Sequence, residues 1–307
     1  MTHRSVVMVS AIVLVASATA GAALWRSSAS KRVTTTAPSS TAATTTAPAT
    51  TTTVTAVRTT TTSVVVTSAA PSSSSTTAAP AARPEPRAGV AGAVVALDPG
   101  HNERNSAHTA EINRQVDVGN GTKSCDTTGT ATDDGSTEAA FTTDVAARVR
   151  AVLVADGATV VMTRDASTPW GPCIDERARI GNDAHADAAV SIHADGGPAT
   201  GRGFHVIEPA AVSGHNEAIV APSHELALAL RATYEQATGL PRSTYLGVEG
   251  ISTRSDLGGL NLSTVPKVFI ETGNMRNAVD GGLLVDGGFR QRIAEGIAAG
   301  IEAFLTR

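Results

Sequence analysis

The sequence predicts an α/β fold built on one mostly parallel sheet, and three observations lead to that prediction. Short apolar runs rich in β-branched residues alternate with longer segments whose apolar residues recur at helical spacing. The apolar runs are nearly continuous, as in strands buried on both faces. Turn-forming residues close the runs, as in Asp98-Pro99-Gly100. Strands that alternate with helices in this way form layers around a largely parallel sheet.

The first predicted strand covers residues 93–97 and ends at that turn. A polar segment rich in Gly, Thr, Asn and Asp follows over 101–135, and a loop of that length is often functional. Ser136 is expected to cap the first helix, because a short hydroxyl side chain can accept backbone N–H groups at a helix start. The apolar residues of that helix recur every three or four positions. They are Phe141, Val145, Val149 and Val152.

The remaining elements continue the alternation. Strands are expected over 159–162, 188–192, 204–207 and 267–270. Helices are expected over 174–184, 223–238 and 289–305. The strand predictions depend on short β-branched runs, and the helix predictions depend on apolar residues at helical spacing.

A long N-terminal tract does not fit a folded domain. Residues 33–82 hold 19 Thr, 8 Ser, 12 Ala and 4 Pro, and Arg58 is their only charged residue. Such a composition offers too little apolar surface to offset the entropy of ordering the chain. We therefore expect a disordered linker rich in Thr, Ser, Ala and Pro over 27–89. Residues 90–307 remain as one folded domain with a sizeable core.

The first 26 residues predict export. A short basic start precedes an uncharged run over 6–24, which is typical of a secretory signal peptide. Small residues suited to cleavage occur at 18–20 and 21–23. The same run is long enough to span a bilayer, so 1–26 is expected to be a signal peptide or a membrane anchor. We expect the protein in the periplasm or cell wall, with membrane contact only through this segment.

Charge and cysteine content exclude several classes of protein. The net charge of −4 combines +6 in residues 1–87 with −10 in residues 88–307. An acidic folded domain argues against nucleic acid as a partner, because phosphate binding needs a basic face. Two cysteines are too few for a disulfide scaffold or a four-cysteine zinc site. In an exported protein we expect a disulfide between Cys125 and Cys173, with two free thiols as the alternative.

Three predicted strands end in residues that bind metals or transfer protons. His101, His193 and Glu271 follow the first, third and last of these strands. Ligands of α/β sheets bind at the carboxyl ends of the strands. Glu138 opens the first helix and is expected near the same edge. Two imidazoles and one carboxylate can hold zinc with one position open for water, and a further carboxylate can accept a proton.

Each of these residues also has an ordinary structural explanation. A histidine at a strand end is more often hydrogen-bonded or solvated than bound to metal. Glu138 can serve only as a favourable charge at a helix N-terminus. Glu103 and Glu111, in the long loop, are alternatives to Glu138 as a ligand. On the residues alone, the placement does not identify a reaction.

The residues around these positions resemble the zinc-dependent N-acetylmuramoyl-L-alanine amidases of the type called amidase 3, in a long-loop form without a separate wall-binding domain. That family shows a strand followed by Asp-Pro-Gly-His, a Glu opening the first long helix, a strand ending Ser-x-His-x-Asn, and a late strand followed by Glu-x-Gly. The matching positions are 95–101, Glu138, 191–195 and 268–277, together with Thr163-Arg164 and Arg177. The resemblance covers residues 93–305.

Two positions depart from the family pattern. Asp195 stands where the family often has Asn, outside the ligand set, and little effect is expected. His101 and Glu138 are 37 residues apart, much farther than the family's usual short connection.

The resemblance implies that His101, Glu138 and His193 bind zinc and that Glu271 is the catalytic base. It implies a sheet of about six strands with helices on both faces. The implied reaction is hydrolysis of the amide between N-acetylmuramic acid and the L-alanine of the stem peptide, in peptidoglycan or muropeptides. We expect a monomer.

The segment 247–263 is rich in Gly and Ser and lies next to the last strand in sequence. We expect it to border the substrate groove, with Arg254 near a substrate carboxylate and Asn261 in contact with the substrate. An ordinary solvated connection is the alternative.

Two other functions stay open on the sequence. One is a non-catalytic wall-binding or regulatory protein on the same fold, which would be expected to lack a ligand or the base. The other is a zinc peptidase acting within the stem peptide. Ligand chemistry cannot separate a peptidase from an amidase because both hydrolyse amides, so only the family resemblance favours the amidase.

Overall fold

A six-stranded sheet lies at the centre of the structure, a computed structural model that describes residues 89–307. The strands are β1 (Val94–Pro99), β2 (Gln115–Asp117), β3 (Thr122–Ser124), β4 (Thr159–Met162), β5 (Ala188–Asp195), β6 (His205–Pro209), β7 (Ile251–Arg254) and β8 (Lys267–Asn274). The helices are α1 (Thr109–Ile112), α2 (Glu138–Ala155), α3 (Ile174–Asp183), α4 (Glu217–Thr238), α5 (Gly258–Asn261), α6 (Ala278–Leu284) and α7 (Gly287–Leu305). A 3₁₀ turn covers Asn105–Ala107.

The sheet order is β4-β1-β5-β8-β6-β7. Every neighbouring pair is parallel except β6 and β8. The strands β2 and β3 form a separate antiparallel pair. The carboxyl ends of β1, β5 and β8 therefore meet at one edge of the sheet, where α/β proteins bind their ligands.

Helices cover both faces of the sheet. On one face α2, α4 and α7 pack against alternate strand residues and form the main core. That core includes Val95, Leu97, Phe141, Leu153, Val190, Ile192, Leu230, Tyr234, Ile270 and Ile297. On the other face α3 approaches β1 closely through small residues, since a Cβ on Gly181 would lie 3.5 Å from the Ala96 Cβ. The predicted fold class is confirmed.

Several element boundaries differ from the sequence prediction. The segment 101–135 is not one irregular loop, because it holds α1 and the β2–β3 hairpin. Thr137, not Ser136, caps α2 and accepts the Ala140 N–H. Helix α4 begins six residues before the expected Ser223; Pro222 lies inside it, although proline favours a helix start. Strand β7 was not predicted, because its Gly/Ser-rich surroundings are typical of a connection.

The predicted disulfide between Cys125 and Cys173 is present, with the two Cα atoms 4.3 Å apart. It joins the segment after β3 to the N-terminus of α3, and both cysteines are buried. A bridge that closes 48 positions stabilises the fold by roughly 4 kcal/mol in the chain-entropy model.

The expected signal or anchor over 1–26 and nearly all of the expected linker over 27–89 lie outside the described residues. Within the described part, none of the helices combines the length and the apolar character needed to cross a membrane.

Candidate metal centre

Polar side chains at alternate positions of β5 lie on one face of the sheet. Successive side chains of a strand point to opposite faces. Ser191, His193 and Asp195 therefore lie on one face of β5, whereas Ile192 lies in the core. The parallel register pairs His193 with Glu271 of β8, which brings the predicted ligand and the predicted base side by side.

The structure brings together three of the predicted residues. Potential ligand atoms of His101, Glu138 and His193 all lie within 4.8 Å of one another. Glu138 lies between the two imidazoles: its Oε2 is 3.2 Å from His101 Nε2, and its Oε1 is 2.9 Å from His193 Nδ1. The two rings are nearly perpendicular, with centroids 5.0 Å apart. Three donors thus converge on one point at the sheet edge.

Glu138 is fixed at the start of α2, where Thr137 caps the helix. Its carboxylate also accepts the N–H groups of Thr130 and Ala194. Burial raises the pKa of Glu138, but the neighbouring His101 and His193 outweigh burial and hold that pKa well below its usual value. The sequence alternatives lie elsewhere: Glu103 is exposed, and Glu111 is exposed and pairs with His108.

Two glycines allow the cluster to close. A Cβ on Gly100 would lie 2.3 Å from the His193 ring. Gly129 adopts a φ of +75°, and a Cβ there would lie 2.8 Å from Glu138 Oε2. Any larger residue at these two positions would displace a side chain of the cluster.

Glu271 lies beside the cluster. Among the described residues, its Oε2 is buried and has no hydrogen-bond partner. Burial raises the pKa of Glu271 well above its usual value, and the carboxylates of Glu138 and Asp195 raise it further. A carboxyl group in this environment has a strong affinity for a proton, as a general base requires.

Two cavities meet at the cluster. One, of about 290 Å³, is lined by Glu138, Asp195, Arg254 and Glu271, among others. The other, of about 400 Å³, lies towards Lys123, Ile174 and α5. His101, His193, Leu257 and Phe269 border both cavities. The cluster is therefore open to a groove that runs past it on both sides.

The two predicted substrate-binding residues, Arg254 and Asn261, differ in their exposure. Arg254 is half-buried in the smaller cavity and pairs with Asp256 through two contacts of 2.8 and 2.7 Å. Asn261 is fully buried, and its amide group donates to the carbonyl oxygens of Val118 and Ser255. Asn261 is therefore not available to a substrate, and the prediction for it is corrected: the side chain joins the hairpin to α5.

A buried network of charged groups lies behind the cluster. Asp98 binds Arg177 and Lys267, each at 3.0 Å, and accepts the Thr163 hydroxyl at 2.7 Å. Burial raises the pKa of Asp98, but Lys267 and Arg177 outweigh it and hold the pKa well below its usual range. Because the network joins β1, β8 and α3, it fixes the positions of the strand ends that carry the cluster.

Some residues of the site were not identified from the sequence. Asp126, Thr127 and Thr130 contact His101 or Glu138 from the long loop. Tyr245 donates its hydroxyl to Asp195 at 2.9 Å, so the position that departs from the family pattern is held by a hydrogen bond. The length of the polar loop was the only sequence signal for the first three residues, and Tyr245 had none.

The donor set fits a zinc ion. Two imidazole nitrogens and one carboxylate oxygen are ligands that zinc accepts in hydrolytic sites, where a fourth position stays open. The two histidines and Glu138 are already gathered around one point by hydrogen bonds that a metal ion would replace.

A mostly parallel sheet with such a cluster and a further carboxylate at its edge is typical of a hydrolytic enzyme. The family model described as N-acetylmuramoyl-L-alanine amidase matches residues 95–303. The chain belongs to this amidase family. It is 43% identical over 220 residues to an N-acetylmuramoyl-L-alanine amidase of Mycobacterium tuberculosis, covering 71% of this chain and 89% of that protein.

Solved structures agree with this assignment. The N-acetylmuramyl-L-alanine amidase Ami1 of Mycobacterium smegmatis is 47% identical, with a TM-score of 0.66 over 70% of this chain and 98% of that one. The Mycobacterium abscessus Ami1 is 44% identical, with the same TM-score over 70% of this chain and 100% of that one. The amidase AmiC2 of Nostoc punctiforme, at 24% identity and a TM-score of 0.54, shares the fold over 71% of this chain and 100% of that one.

Replacing Asp98 by Asn should show how much the buried network stabilises the protein. At pH 7 we expect the free energy of unfolding to fall by about 3–5 kcal/mol, because Arg177 and Lys267 lose a buried partner. The pKa of Asp98 is lower in the folded chain than in the unfolded chain. Its contribution is therefore complete above about pH 5, begins to decline as the pH falls below about 4, and goes on declining towards the much lower pKa of the folded chain.

Urea denaturation at pH 7 and pH 3 would measure this effect, with the difference between variant and unaltered protein shrinking in acid. Asp183→Asn, which removes an exposed ion pair with Arg179, is the matched control and should change stability little. An Asp98→Asn protein as stable as the unaltered one at pH 7 would contradict the interpretation.

Proposed function

We propose that the protein is a zinc-dependent peptidoglycan hydrolase that cleaves the amide bond between N-acetylmuramic acid and the L-alanine of the stem peptide. The observation that carries this proposal is the convergence of His101, Glu138 and His193 next to Glu271, in an enzyme of the amidase family. The substrate class follows from the family, and the bond cleaved is the amide bond that such a site can hydrolyse.

In this proposal His101, Glu138 and His193 hold the zinc ion. Zinc in that position supplies a Lewis acid that polarises the amide carbonyl and makes water more acidic. The backbone N–H groups of Thr130 and Ala194 keep the Glu138 carboxylate oriented towards the two imidazoles. Gly100 and Gly129 leave the room that the three side chains need.

Glu271 moves the proton. Its carboxylate accepts a proton from water, and the resulting hydroxide adds to the carbonyl carbon of the scissile amide. The same carboxyl group then gives this proton to the nitrogen of L-alanine while the carbon–nitrogen bond breaks. The products are a carboxylate on the lactyl group and a free amine on the stem peptide. The positive charge of a zinc ion nearby would favour the ionised form of Glu271 that accepts the proton.

The leaving amine must lie within reach of Glu271, so we infer that the stem peptide occupies the cavity that Glu271 shares with Arg254. Arg254 is the cationic residue that borders this cavity, apart from the histidines of the cluster. Its guanidinium is then placed to bind a carboxylate of the stem peptide, in exchange for its exposed contact with Asp256.

The location of the protein follows from its proposed substrate. We propose that residues 1–26 direct export, as a cleaved signal or an anchor, and that the linker over 27–89 separates the enzyme domain from that point. The disulfide supports this proposal, because such bonds persist in oxidising compartments.

Glu271→Gln tests the role of the base. Glutamine keeps the shape of the side chain but cannot accept the proton, so we expect the rate of muropeptide cleavage to fall by about 10²–10⁴-fold. The zinc content should stay at that of the unaltered protein. Glu295→Gln, the same change at an exposed position of α7, is the control and should leave both quantities unchanged. Full activity in the Glu271→Gln protein would refute the proposed role.

Arg254→Ala tests the placement of the stem peptide. We expect KM to rise by about 10–100-fold with a much smaller change in kcat, because a charged hydrogen bond to the bound substrate is lost. A muramyl peptide whose carboxylates are amidated should respond much less to the same substitution. Arg179→Ala, at an exposed ion pair on α3, is the control. An unchanged KM for the carboxylate substrate would contradict this placement.

A further inference from the structure

The imidazole of His101 is oriented by oxygen atoms of the long loop. Its Nδ1 lies 3.0 Å from the hydroxyl of Thr127, 3.2 Å from the Thr127 carbonyl oxygen and 3.6 Å from Asp126 Oδ1. A carbonyl and a carboxylate oxygen can only accept, so Nδ1 carries a proton. Nε2, which lies 3.2 Å from Glu138 Oε2, is then the nitrogen left to bind a metal ion at the cluster.

The backbone of His101 adopts an unfavourable conformation. Its φ is +58°, a region that residues with a Cβ rarely adopt. Arg177 donates to the His101 carbonyl oxygen at 2.9 Å and, through the same nitrogen, to Asp126 Oδ2 at 2.9 Å. Arg177 therefore ties the strained residue to the loop that orients its ring.

Asp126 can make these contacts only as a carboxylate. It is 5% exposed, and its Oδ2 accepts from both Arg177 and Asn105. Its Oδ1 accepts the Thr127 N–H at 2.8 Å and faces His101. Both oxygens thus face donors, so the position has no room for an N–H group.

The disulfide joins the segment that contains Asp126 to the segment that contains Arg177. Asp126 directly follows Cys125, and Arg177 lies one helical turn after Cys173. Next to the bridge, the Ile174 N–H donates to the Cys125 carbonyl oxygen at 2.8 Å. Opening the bridge would leave a few hydrogen bonds to keep residues 125–127 against α3 and against His101.

We propose that Asp126 is a positioning residue for the zinc ligand His101, and that the Cys125–Cys173 disulfide maintains this position, so that reducing the disulfide weakens zinc binding. The inference rests on the proposed function, in which His101 binds zinc. Groups that orient a metal-bound imidazole through its second nitrogen change metal affinity by about 10–100-fold when they are lost.

The test measures the zinc dissociation constant of the full-length chain by competition with a chromophoric chelator. Asp126→Asn is the main variant. The asparagine oxygen must face Arg177 and Asn105, so its NH₂ group is turned towards the Thr127 N–H and the protonated Nδ1 of His101. We expect zinc affinity to fall at least about tenfold. The visible spectrum of Co²⁺ bound in place of zinc should change as well, which a loss of stability alone would not cause.

Two further measurements keep the test decisive if Asp126→Asn does not fold. Thr127→Val removes an exposed hydroxyl from His101 with little risk to the fold, and should weaken zinc binding in the same direction. Reduction of the disulfide in the unaltered chain should also weaken it, with the fold monitored by circular dichroism. Asp117→Asn, the same change at an exposed hairpin position without contact to His101, is the control and should leave the affinity unchanged.

The outcomes separate this inference from the proposed function. If the unaltered chain binds zinc and His101→Ala abolishes binding, the proposed metal site stands. If the folded variants and the reduced protein then keep the unaltered affinity within about twofold, the positioning role is overturned. If the unaltered chain binds no zinc, the proposed function fails, and this inference fails with it.

Discussion

One buried carboxylate, that of Glu138, joins an imidazole just after β1 to an imidazole on β5, and the rest of the site depends on this contact. Burying a charge is costly unless it is paired and hydrogen-bonded. Here His101 and His193 bind the two oxygens, and the N–H groups of Thr130 and Ala194 complete the set. The arrangement is possible only where strand ends, a helix start and the long loop meet at one edge of the sheet.

The long loop between His101 and Glu138 is a structural part of the site. It folds into α1 and the β2–β3 hairpin and is tied to α3 by the disulfide. From there it supplies oxygen atoms to His101, an N–H group to Glu138, and one wall of the larger cavity. The loop thus adds contacts to His101 and Glu138 beyond those that the strands provide.

The proximity of the cluster residues and Glu271 could be predicted from the sequence. His101, His193 and Glu271 follow apolar strands, and parallel strands bring their carboxyl ends to one edge. The contacts of Asp126 and Thr130 could not be predicted, because they depend on how a polar loop folds back. Asn261 was misplaced for the same reason: a polar residue in a Gly/Ser-rich segment is typical of a groove, whereas its burial depends on the hairpin packed over it.

The most direct test of the account is digestion of a purified muramyl peptide by the full-length protein, with the products identified by mass. We expect a released peptide with a free L-alanine N-terminus and a sugar with a free lactyl carboxylate. Both products should disappear after treatment with a chelator and return when zinc is added. Cleavage within the stem peptide, or cleavage that chelation does not affect, would contradict it.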